Sequence, residues 1–205
     1  MKVSVNAHSS IKIVSDRTVY FDPFLIEETP HDADIIFFTH SHYDHFSPES
    51  VEKIKKQGTL FVAPLSIKGD LEKAGYYGAV YLSPDEEKVV AGMQVKAVPA
   101  YNIGKSFHKK ESGWIGYVVE TEGKKIYVAG DTDATPDAEK VKCDIAFLPV
   151  GGTYTTDYRQ AAGLANAIMP KSVYPTHYGS IVGDADCGEK FAALVDKKIK
   201  VNILL

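Results

Sequence analysis

The chain has 205 residues, and its 44% share of hydrophobic residues is enough to fill the core of one sizeable domain. Its 23 lysines and arginines are outnumbered by 27 aspartates and glutamates, and the formal net charge of −4 argues against a nucleic-acid backbone as the partner. No apolar run approaches the roughly 20 residues that cross a bilayer, so no membrane span is expected.

The cysteines and the first residues of the chain predict a cytoplasmic location. Cys143 and Cys187 are far apart and belong to no Cys-x-x-Cys pair, which excludes a disulfide framework and a cysteine-rich zinc site. The first residues alternate like a strand, and they lack the apolar segment of a secretory signal. We therefore expect a reduced compartment and no export.

The first half of the chain predicts strands that alternate with helices. Short alternating runs at 2–6, 10–14 and 18–21 favour an opening β-meander, and the continuous apolar run at 34–38 is typical of a strand buried on both faces. Ser47 and Pro48 are typical of a helix start, and Gly58 follows its expected end near residue 56. Further strands are predicted at 59–63 and 79–82, and a further helix at 65–74.

The second half of the chain repeats this mixed pattern. Strands are predicted at 89–98, 114–120, 124–128, 144–148, 172–174 and 199–204, and helices at 157–168 and 188–196. No linker divides the chain, so residues 1–205 are expected to form a single domain. The expected fold class is α/β (α+β), a four-layer αββα sandwich in which helices flank two mixed β-sheets.

Three histidines and an aspartate are crowded into the loop that follows the buried strand: His40, His42, Asp44 and His45. In an extended segment residues two apart share a face, so His40 and His42 can bind one ion, and a turn at Asp44 directs the next pair toward a second. Imidazole and carboxylate ligands favour zinc, iron or manganese over calcium or magnesium. The alternative is a histidine-rich polar turn, which would have no reason to lose the rotamer entropy of three ordered rings.

Four more candidate residues each follow a predicted strand: His8, Asp22, Asp131 and His177. Strand ends in mixed sheets lie along one edge, so these side chains can converge on the histidine cluster. His8 either lines the site or is a core or capping residue, and His177 is either a ligand or a buried histidine bonded to backbone. Asp133 either supports the site or caps a helix at 136–141, and Trp114 either shapes the pocket or packs in the core.

These residues give the chain a resemblance to a known superfamily. The residues that carry it are Asp22, His40, His42, Asp44, His45, Asp131 within Gly-Asp-Thr, and His177. The chain resembles the metallo-β-lactamase-fold hydrolases, in particular their small single-domain members related to ascorbate-phosphate lactonase, from Val5 to the C-terminus. The resemblance implies the same αββα sandwich and two bound metal ions.

The resemblance also implies how the ligands divide between the two ions. His40 and His42 would hold metal 1, and Asp44, His45 and His177 would hold metal 2. Asp131 would bridge both ions, and Asp22 would support the ligand loop without touching metal.

One ligand of metal 1 is missing from its usual place. Members of the superfamily supply a histidine at the end of the strand equivalent to 95–98, where this chain has the sequence PAYN at 99–102. Either His108 folds back as the third protein ligand of metal 1, helped by a turn at Gly104, or Asn102 or water completes that ion. The nearby lysines favour a solvated loop instead: Lys105, Lys109 and Lys110.

We expect a metal-dependent hydrolase in which two divalent transition-metal ions activate a water molecule, with zinc as the first choice and iron or manganese as alternatives. Asp44 and Asp131 are the expected catalytic residues, and Asp131 would orient the water or accept its proton. The partner is expected to be a small-molecule substrate with an ester, lactone, thioester, amide or phosphodiester bond, because a chain of this length has no accessory substrate domain.

Three alternative functions remain open at this point. They are a phosphodiesterase or nuclease, a di-iron redox protein on the same fold, and a non-catalytic metal-binding protein. The net charge argues against a nuclease, and the intact cluster without a flavin domain argues against redox chemistry. The substrate, the metal and the oligomeric state are not determined by the sequence.

Overall fold

The computed structural model describes residues 1–205 and contains two β-sheets. The first sheet has six strands in chain order: β1 Lys2–Val5, β2 Ile11–Val14, β3 Thr18–Phe21, β4 Ala33–Phe37, β5 Lys55–Pro64 and β6 Val80–Leu82. The first three strands pair antiparallel, as expected for short runs joined by tight turns. Strands β3 to β6 pair parallel, so the loops that follow β3 and β4 leave the same edge of the sheet.

The second sheet has seven strands, arranged in reverse chain order: β7 Glu87–Val90, β8 Met93–Pro99, β9 Ile115–Thr121, β10 Lys124–Val128, β11 Ile145–Pro149, β12 Ser172–Thr176 and β13 Lys200–Val201. Strands β7 to β10 are antiparallel neighbours, and β10 to β13 are parallel. Parallel strands end at one edge of a sheet, so the loops after Val128 and Thr176 lie close together.

Four helices join the strands: α1 Pro48–Ile54, α2 Lys68–Lys73, α3 Tyr158–Ile168 and α4 Cys187–Ala192. Helix α1 begins after Ser47, whose side chain accepts a hydrogen bond from the amide of Ser50, and Pro48 occupies its first turn. Helix α3 begins with a capping box, in which Asp157 and Gln160 each satisfy the other's backbone amide. Single 3₁₀ turns occur at Leu65–Ile67, Lys110–Ser112 and Ala138–Lys140.

Three apolar clusters define four layers. The largest contains residues of both sheets, among them Ile35, Phe37 and Tyr117, and therefore lies between them. A second cluster packs the second sheet against α3 and α4 around Phe191, and a third packs the first sheet against α1 and α2 around Leu71. This is the predicted αββα sandwich of two mixed sheets.

The predicted strand at 89–98 is in fact a hairpin. Strands β7 and β8 pair antiparallel and are joined by Ala91 and Gly92, both with positive φ. The apolar pattern continues from one strand into the next, so periodicity alone does not show the turn. Ala91 is not a usual turn residue, because alanine seldom adopts this left-handed conformation, and the sequence therefore gives only a weak turn signal here.

Helix ends and short elements also differ from the predictions. The helix expected to run from Ser47 to 56 ends at Ile54, because Lys55 already pairs with Ala33 as the first residue of β5. Pairing with a neighbouring strand overrides the local helical pattern here. The helix predicted at 65–74 is a 3₁₀ turn followed by α2, the helix predicted at 188–196 ends at Ala192, and the strand predicted at 199–204 is reduced to β13.

The thiols form no disulfide, as expected from their spacing. Cys143 and Cys187 are both free, and burial raises the pKa of Cys143 to about 12, which leaves its thiol unreactive at neutral pH. None of the helices has the length and apolar character needed to cross a membrane.

A close approach between two strands requires a glycine. A Cβ atom at Gly116 in β9 would lie 2.6 Å from the carbonyl oxygen of Val128 and even closer to that of Ala129. The chain leaves β10 directly over this position, and Gly130 then turns it with φ +66. Gly116 thus makes room for the loop that carries Asp131.

We predict opposite effects of alanine at two glycines. Gly116→Ala should lower the free energy of unfolding by about 1–3 kcal/mol or more, because the methyl group collides with backbone that cannot move aside. Gly163→Ala, on the exposed face of α3 with nothing near its Cβ position, should raise it by about 0.5–1 kcal/mol. Urea denaturation followed by circular dichroism measures both changes, and equal stability of the two variants would contradict the close approach.

Candidate metal centre

Imidazole and carboxylate side chains from both sheets meet at one edge of the sandwich. They are His8 after β1, Asp22 after β3, His40, His42, Asp44 and His45 after β4, His108 between β8 and β9, Asp131 after β10, and His177 after β12. Each of these candidate residues lies in contact with at least one other. The strand ends therefore converge as the sequence predicted.

The buried carboxylate of Asp22 holds the loop after β4. Its Oδ1 accepts a hydrogen bond from the amide of Thr39 at 2.7 Å, and its Oδ2 accepts one from the Thr39 hydroxyl at 2.6 Å. Its Oδ2 also lies 2.8 Å from Nδ1 of His45. A ring that donates through Nδ1 has the lone pair of Nε2 free, so Asp22 sets the orientation in which His45 can bind a metal ion.

Three imidazoles form the first candidate ligand set, here called the His40 set: His40, His42 and His108. Their ligand atoms all lie within 4.8 Å of one another, and Nε2 of His40 is 3.1 Å from Nδ1 of His42. The half-buried ring of Trp114 packs against all three imidazoles, with centroid distances of 4.8, 4.8 and 5.3 Å. His42 is the exposed member of the set, so the set is accessible from its side.

The second candidate ligand set, here called the His45 set, consists of His8, Asp44, His45 and His177. Oδ2 of Asp44 lies 3.2 Å from Nε2 of His8, 3.6 Å from Nε2 of His45 and 3.7 Å from Nε2 of His177. The sequence predicted at most that His8 lines the site, and the structure places its Nε2 among the ligand atoms. The signal for this role was its position directly after a strand, which it shares with Asp22, Asp131 and His177.

Asp131 lies between the two sets. Its Oδ2 is 3.2 Å from Nε2 of His108, 4.0 Å from Nε2 of His40 and 3.1 Å from Nε2 of His177. Its Oδ1 is 3.2 Å from Nε2 of His45. One carboxylate therefore contacts members of both sets, which is the geometry that a bridging ligand needs.

The ligand atoms fit a metal ion better than they fit one another. The Nε2 atoms of His8, His45, His108 and His177 are buried without a hydrogen-bond partner, although carboxylate oxygens lie 3.1–3.2 Å away. Buried polar atoms without partners cost free energy, and native structures leave few of them. A divalent ion among these nitrogen and oxygen donors would satisfy them, and the donor set suits zinc, iron or manganese.

Burial keeps several of these imidazoles neutral. It lowers the pKa of His40 well below its usual value, and it also lowers the pKa values of His8 and His42. Neutral imidazole is the form that binds metal, so no proton has to leave these rings at pH 7.

The contact between His45 and Asp131 shifts their pKa values in opposite directions. Burial opposes the charge on His45, but the carboxylates of Asp131 and Asp22 hold its pKa well above the usual value. Burial likewise acts to raise the pKa of Asp131, but the imidazoles of His177 and His45 hold it well below the usual range. Asp131 is therefore an ionised ligand at any physiological pH.

A buried aspartate brings His108 to the site. Oδ1 of Asp133 accepts a hydrogen bond from Nζ of Lys105 at 2.6 Å, and Oδ2 accepts one from the amide of Ile103 at 2.8 Å. Nζ of Lys105 also donates to the carbonyl of Thr155 at 2.7 Å. Lys105 thus points inward to a carboxylate, and it anchors the loop that its charge was expected to keep in solvent.

Asn102 braces the base of this loop, and His108 is the residue whose ring reaches the His40 set. The amide nitrogen of Asn102 donates to the carbonyl of His108 at 2.7 Å, and its side chain donates to the carbonyl of Tyr154 at 2.7 Å. Gly104 makes the sharp turn between them with φ +71. The geometry therefore favours His108 over Asn102 or water as the third protein ligand of metal 1.

The expectation that Asp133 caps a helix is wrong. Residues 136–141 form only the 3₁₀ turn Ala138–Lys140, and the hydroxyl of Thr135 accepts the hydrogen bond from the amide of Ala138. Both oxygens of Asp133 are used by the loop that carries His108. Asp133 therefore supports the site, which was the other role that the sequence allowed for it.

Comparison with known proteins identifies a domain family and relatives that this chain resembles along most of its length. A model of the β-lactamase superfamily domain matches residues 2–177. The chain is 33% identical to a UPF0173 metal-dependent hydrolase of Thermococcus onnurineus, covering 100% of this chain and 96% of that protein. It is 32% identical to a UPF0173 metal-dependent hydrolase of Methanosphaera stadtmanae, covering 97% and 93%.

Solved structures share the fold. A putative metal-dependent hydrolase of Parabacteroides distasonis superimposes with a TM-score of 0.82 at 31% identity, covering 98% of this chain and 91% of that chain. CmlA, a diiron β-hydroxylase of Streptomyces venezuelae, superimposes with a TM-score of 0.71 at 16% identity. The match to CmlA covers 95% of this chain and 47% of that chain, and it shows likeness of fold alone.

Asp22→Asn should weaken metal binding by about 10–100-fold, because an amide cannot accept from both Thr39 and His45 as the carboxylate does. Zinc titration against a chromophoric chelator measures the affinity. Asp34→Asn is the matched control, since Asp34 also accepts a backbone hydrogen bond, from Thr18, but lies away from the site. Equal affinities in the two variants would show that Asp22 does not orient a ligand.

Asp133→Ala should weaken metal binding at the His40 set by about 10–100-fold, because the loop that carries His108 loses two partly buried hydrogen bonds. Asp137→Ala is the control, because it removes an exposed ion pair to Lys110 of the same loop and a hydrogen bond from Tyr101, and it leaves both contacts of Asp133 in place. Metal content after dialysis against graded chelator concentrations separates a weak site from a strong one. If both variants keep the metal content of the original protein, Asp133 does not position His108.

Proposed function

Because this chain belongs to the β-lactamase superfamily, and within it to the UPF0173 metal-dependent hydrolases, we propose that it is a two-metal hydrolase of small molecules. The proposed ions are divalent transition metals, with zinc first and iron or manganese as alternatives. The observation that carries the proposal is the position of Asp131 between the His40 set and the His45 set. A carboxylate shared by two ligand sets supports a dinuclear centre better than two separate sites.

We assign the ligands on the distances within each set. The His40 set would hold one ion, and the His45 set the other, with Asp131 common to both. His8 would then be a ligand in addition to those implied by the resemblance, because its Nε2 faces Asp44 in the same way as the ring nitrogens of His45 and His177 do. Asp22 holds His45 from behind and touches neither set of free ligand atoms.

Bound divalent ions would supply a water of lowered pKa and a Lewis acid for the scissile carbonyl or phosphoryl oxygen. The proposed catalytic residues are Asp131 and Asp44. Asp131 is held ionised by its neighbours, so it would orient a water between the sets through its negative charge. Asp44 is ionised too: burial acts to raise its pKa, but the contacts with His8 and His45 together lower it. It lies at the more open side of the His45 set.

The proposed substrate is a small molecule with an ester, lactone, thioester, amide or phosphodiester bond. The net charge of −4 does not favour a polyanion as the substrate. The two free cysteines are consistent with the cytoplasm as the place of action.

The second candidate function is oxygen chemistry at a di-iron centre. A neighbour of the same fold, CmlA, is a diiron β-hydroxylase, and nitrogen and oxygen donors also suit iron. Substrate-dependent oxygen consumption by the iron-loaded protein, with no hydrolysis by the zinc-loaded protein, would favour this candidate over the hydrolase.

The test combines metal content with a substrate panel. Protein purified without chelator should contain about two transition-metal ions per chain and hydrolyse at least one compound in a panel of the five bond types. Asp131→Asn should lower kcat/KM by about 10²–10⁴-fold while the circular dichroism spectrum stays unchanged. Asp144→Asn, at the opposite end of the second sheet, should keep full activity.

Two results would contradict the proposal. One is protein that takes up no metal after incubation with zinc, iron or manganese. The other is an Asp131→Asn variant that retains both normal turnover and normal metal content.

A further inference from the structure

Large apolar side chains are exposed on the same loops that carry the candidate ligands. They are Leu25 after β3, Tyr43 between two ligands, Ile103 and Phe107 in the His108 loop, and Ile181 after β12, with 40–66% of each residue exposed. These five residues are called the apolar rim. Exposed apolar residues scattered singly are normal, but a group at the mouth of a site indicates a surface that is covered in use.

On one side, the apolar rim reaches the His45 set through aromatic contacts. The ring of Tyr43 packs edge-on against Phe24 at a centroid distance of 6.0 Å, and Phe24 packs against His8 at 6.4 Å. The carbonyl of Leu25 is held by the side chain of Asn6 at 2.9 Å. Tyr43 therefore reaches the His45 set through Phe24, and Asn6 braces the backbone of Leu25 in the loop after β3.

On the other side, the apolar rim adjoins the His40 set. Phe107 directly precedes His108, and its ring packs edge-on against Tyr154 at 4.8 Å. Ile103 belongs to the same loop and is fixed by the hydrogen bond from its amide to Asp133. Apolar surface thus flanks both ligand sets, on backbone that is anchored.

The charges around the site offer little to an anionic substituent. In the His108 loop, Lys105 is paired with Asp133 and Lys110 with Asp137, which leaves Lys109 as the lysine without an acidic partner. The two arginines are Arg17 in the turn between β2 and β3 and Arg159 on α3, where its guanidinium packs on Tyr158. Neither arginine forms a hydrogen bond or an ion pair with a residue of the ligand sets, and arginine is the side chain that binds a phosphate group in a bidentate manner.

We propose that the apolar rim binds an uncharged alkyl or aryl substituent of the substrate, so that the preferred substrates are apolar esters or lactones and not phosphorylated ones. This inference rests on the proposed hydrolase function and adds the substrate class. In the reaction, the oxygen of water bonds to the acyl carbon and the acyl carbon–oxygen bond breaks. One proton of the water goes to the leaving alkoxide, and the carboxylic acid product releases the other.

A homologous series of straight-chain 4-nitrophenyl esters, from acetyl to octanoyl, tests the inference in the zinc-loaded protein. Each added methylene that reaches the apolar rim should raise kcat/KM by about 2- to 4-fold until the rim is filled. Tyr43→Ser and Phe107→Ser should flatten this dependence, which is measured as the ratio of kcat/KM for the octanoyl ester to that for the acetyl ester. Tyr77→Ser is the matched control, because Tyr77 is 74% exposed but lies after α2, away from the ligands.

Binding of product analogues separates this inference from the proposed function. In calorimetry with the zinc-loaded protein, octanoate should bind at least 10-fold more tightly than acetate, and Phe107→Ser should remove most of that difference. This result without hydrolysis of any compound in the panel of five bond types would support the apolar rim and contradict the hydrolase proposal. Equal affinity for acetate and octanoate, or tighter binding of a phosphorylated lactone than of an alkyl lactone, would overturn the apolar rim whatever the activity.

Discussion

The ligand loop of this protein is held by one buried carboxylate. Asp22 is fully buried, and a charge there is tolerated because Thr39 and His45 together direct three donors at it. The same contact turns Nε2 of His45 toward Asp44 and Asp131, which joins the two ligand sets. The geometry of the centre therefore depends on the hydrogen bonds that Thr39 and His45 donate to the buried carboxylate of Asp22 at the end of β3.

The centre itself is not satisfied by protein groups alone. Burial keeps His8, His40 and His42 neutral, several ring nitrogens have no hydrogen-bond partner, and Asp131 keeps its charge among them. Such an arrangement costs stability unless a cation completes it, so metal binding and folding are expected to be linked. The dense core between the sheets supplies the rigidity that holds these groups together.

The loop between β8 and β9 combines a ligand with a recognition surface. Asp133 anchors it through Lys105 and the amide of Ile103, and this places His108 inward and Phe107 at the mouth of the site. Loops at strand ends can change length and sequence without disturbing the sheets. A ligand carried on such a loop, where relatives of the fold are expected to use a strand end, ties the metal centre directly to the surface that the substrate would meet.

The sequence by itself determined the layers of the fold and the local part of the centre. Alternating and continuous apolar runs predict the two sheets, and the spacing of His40 and His42 predicts a shared face, because both depend on residues a few positions apart. Tertiary structure alone decided that the strand at 89–98 is a hairpin and that His108 reaches the His40 set. The ion pair between Lys105 and Asp133 joins residues 28 positions apart. Local patterns carry no record of such contacts, because they exist only after β8, β9 and β10 have paired and brought their loops together.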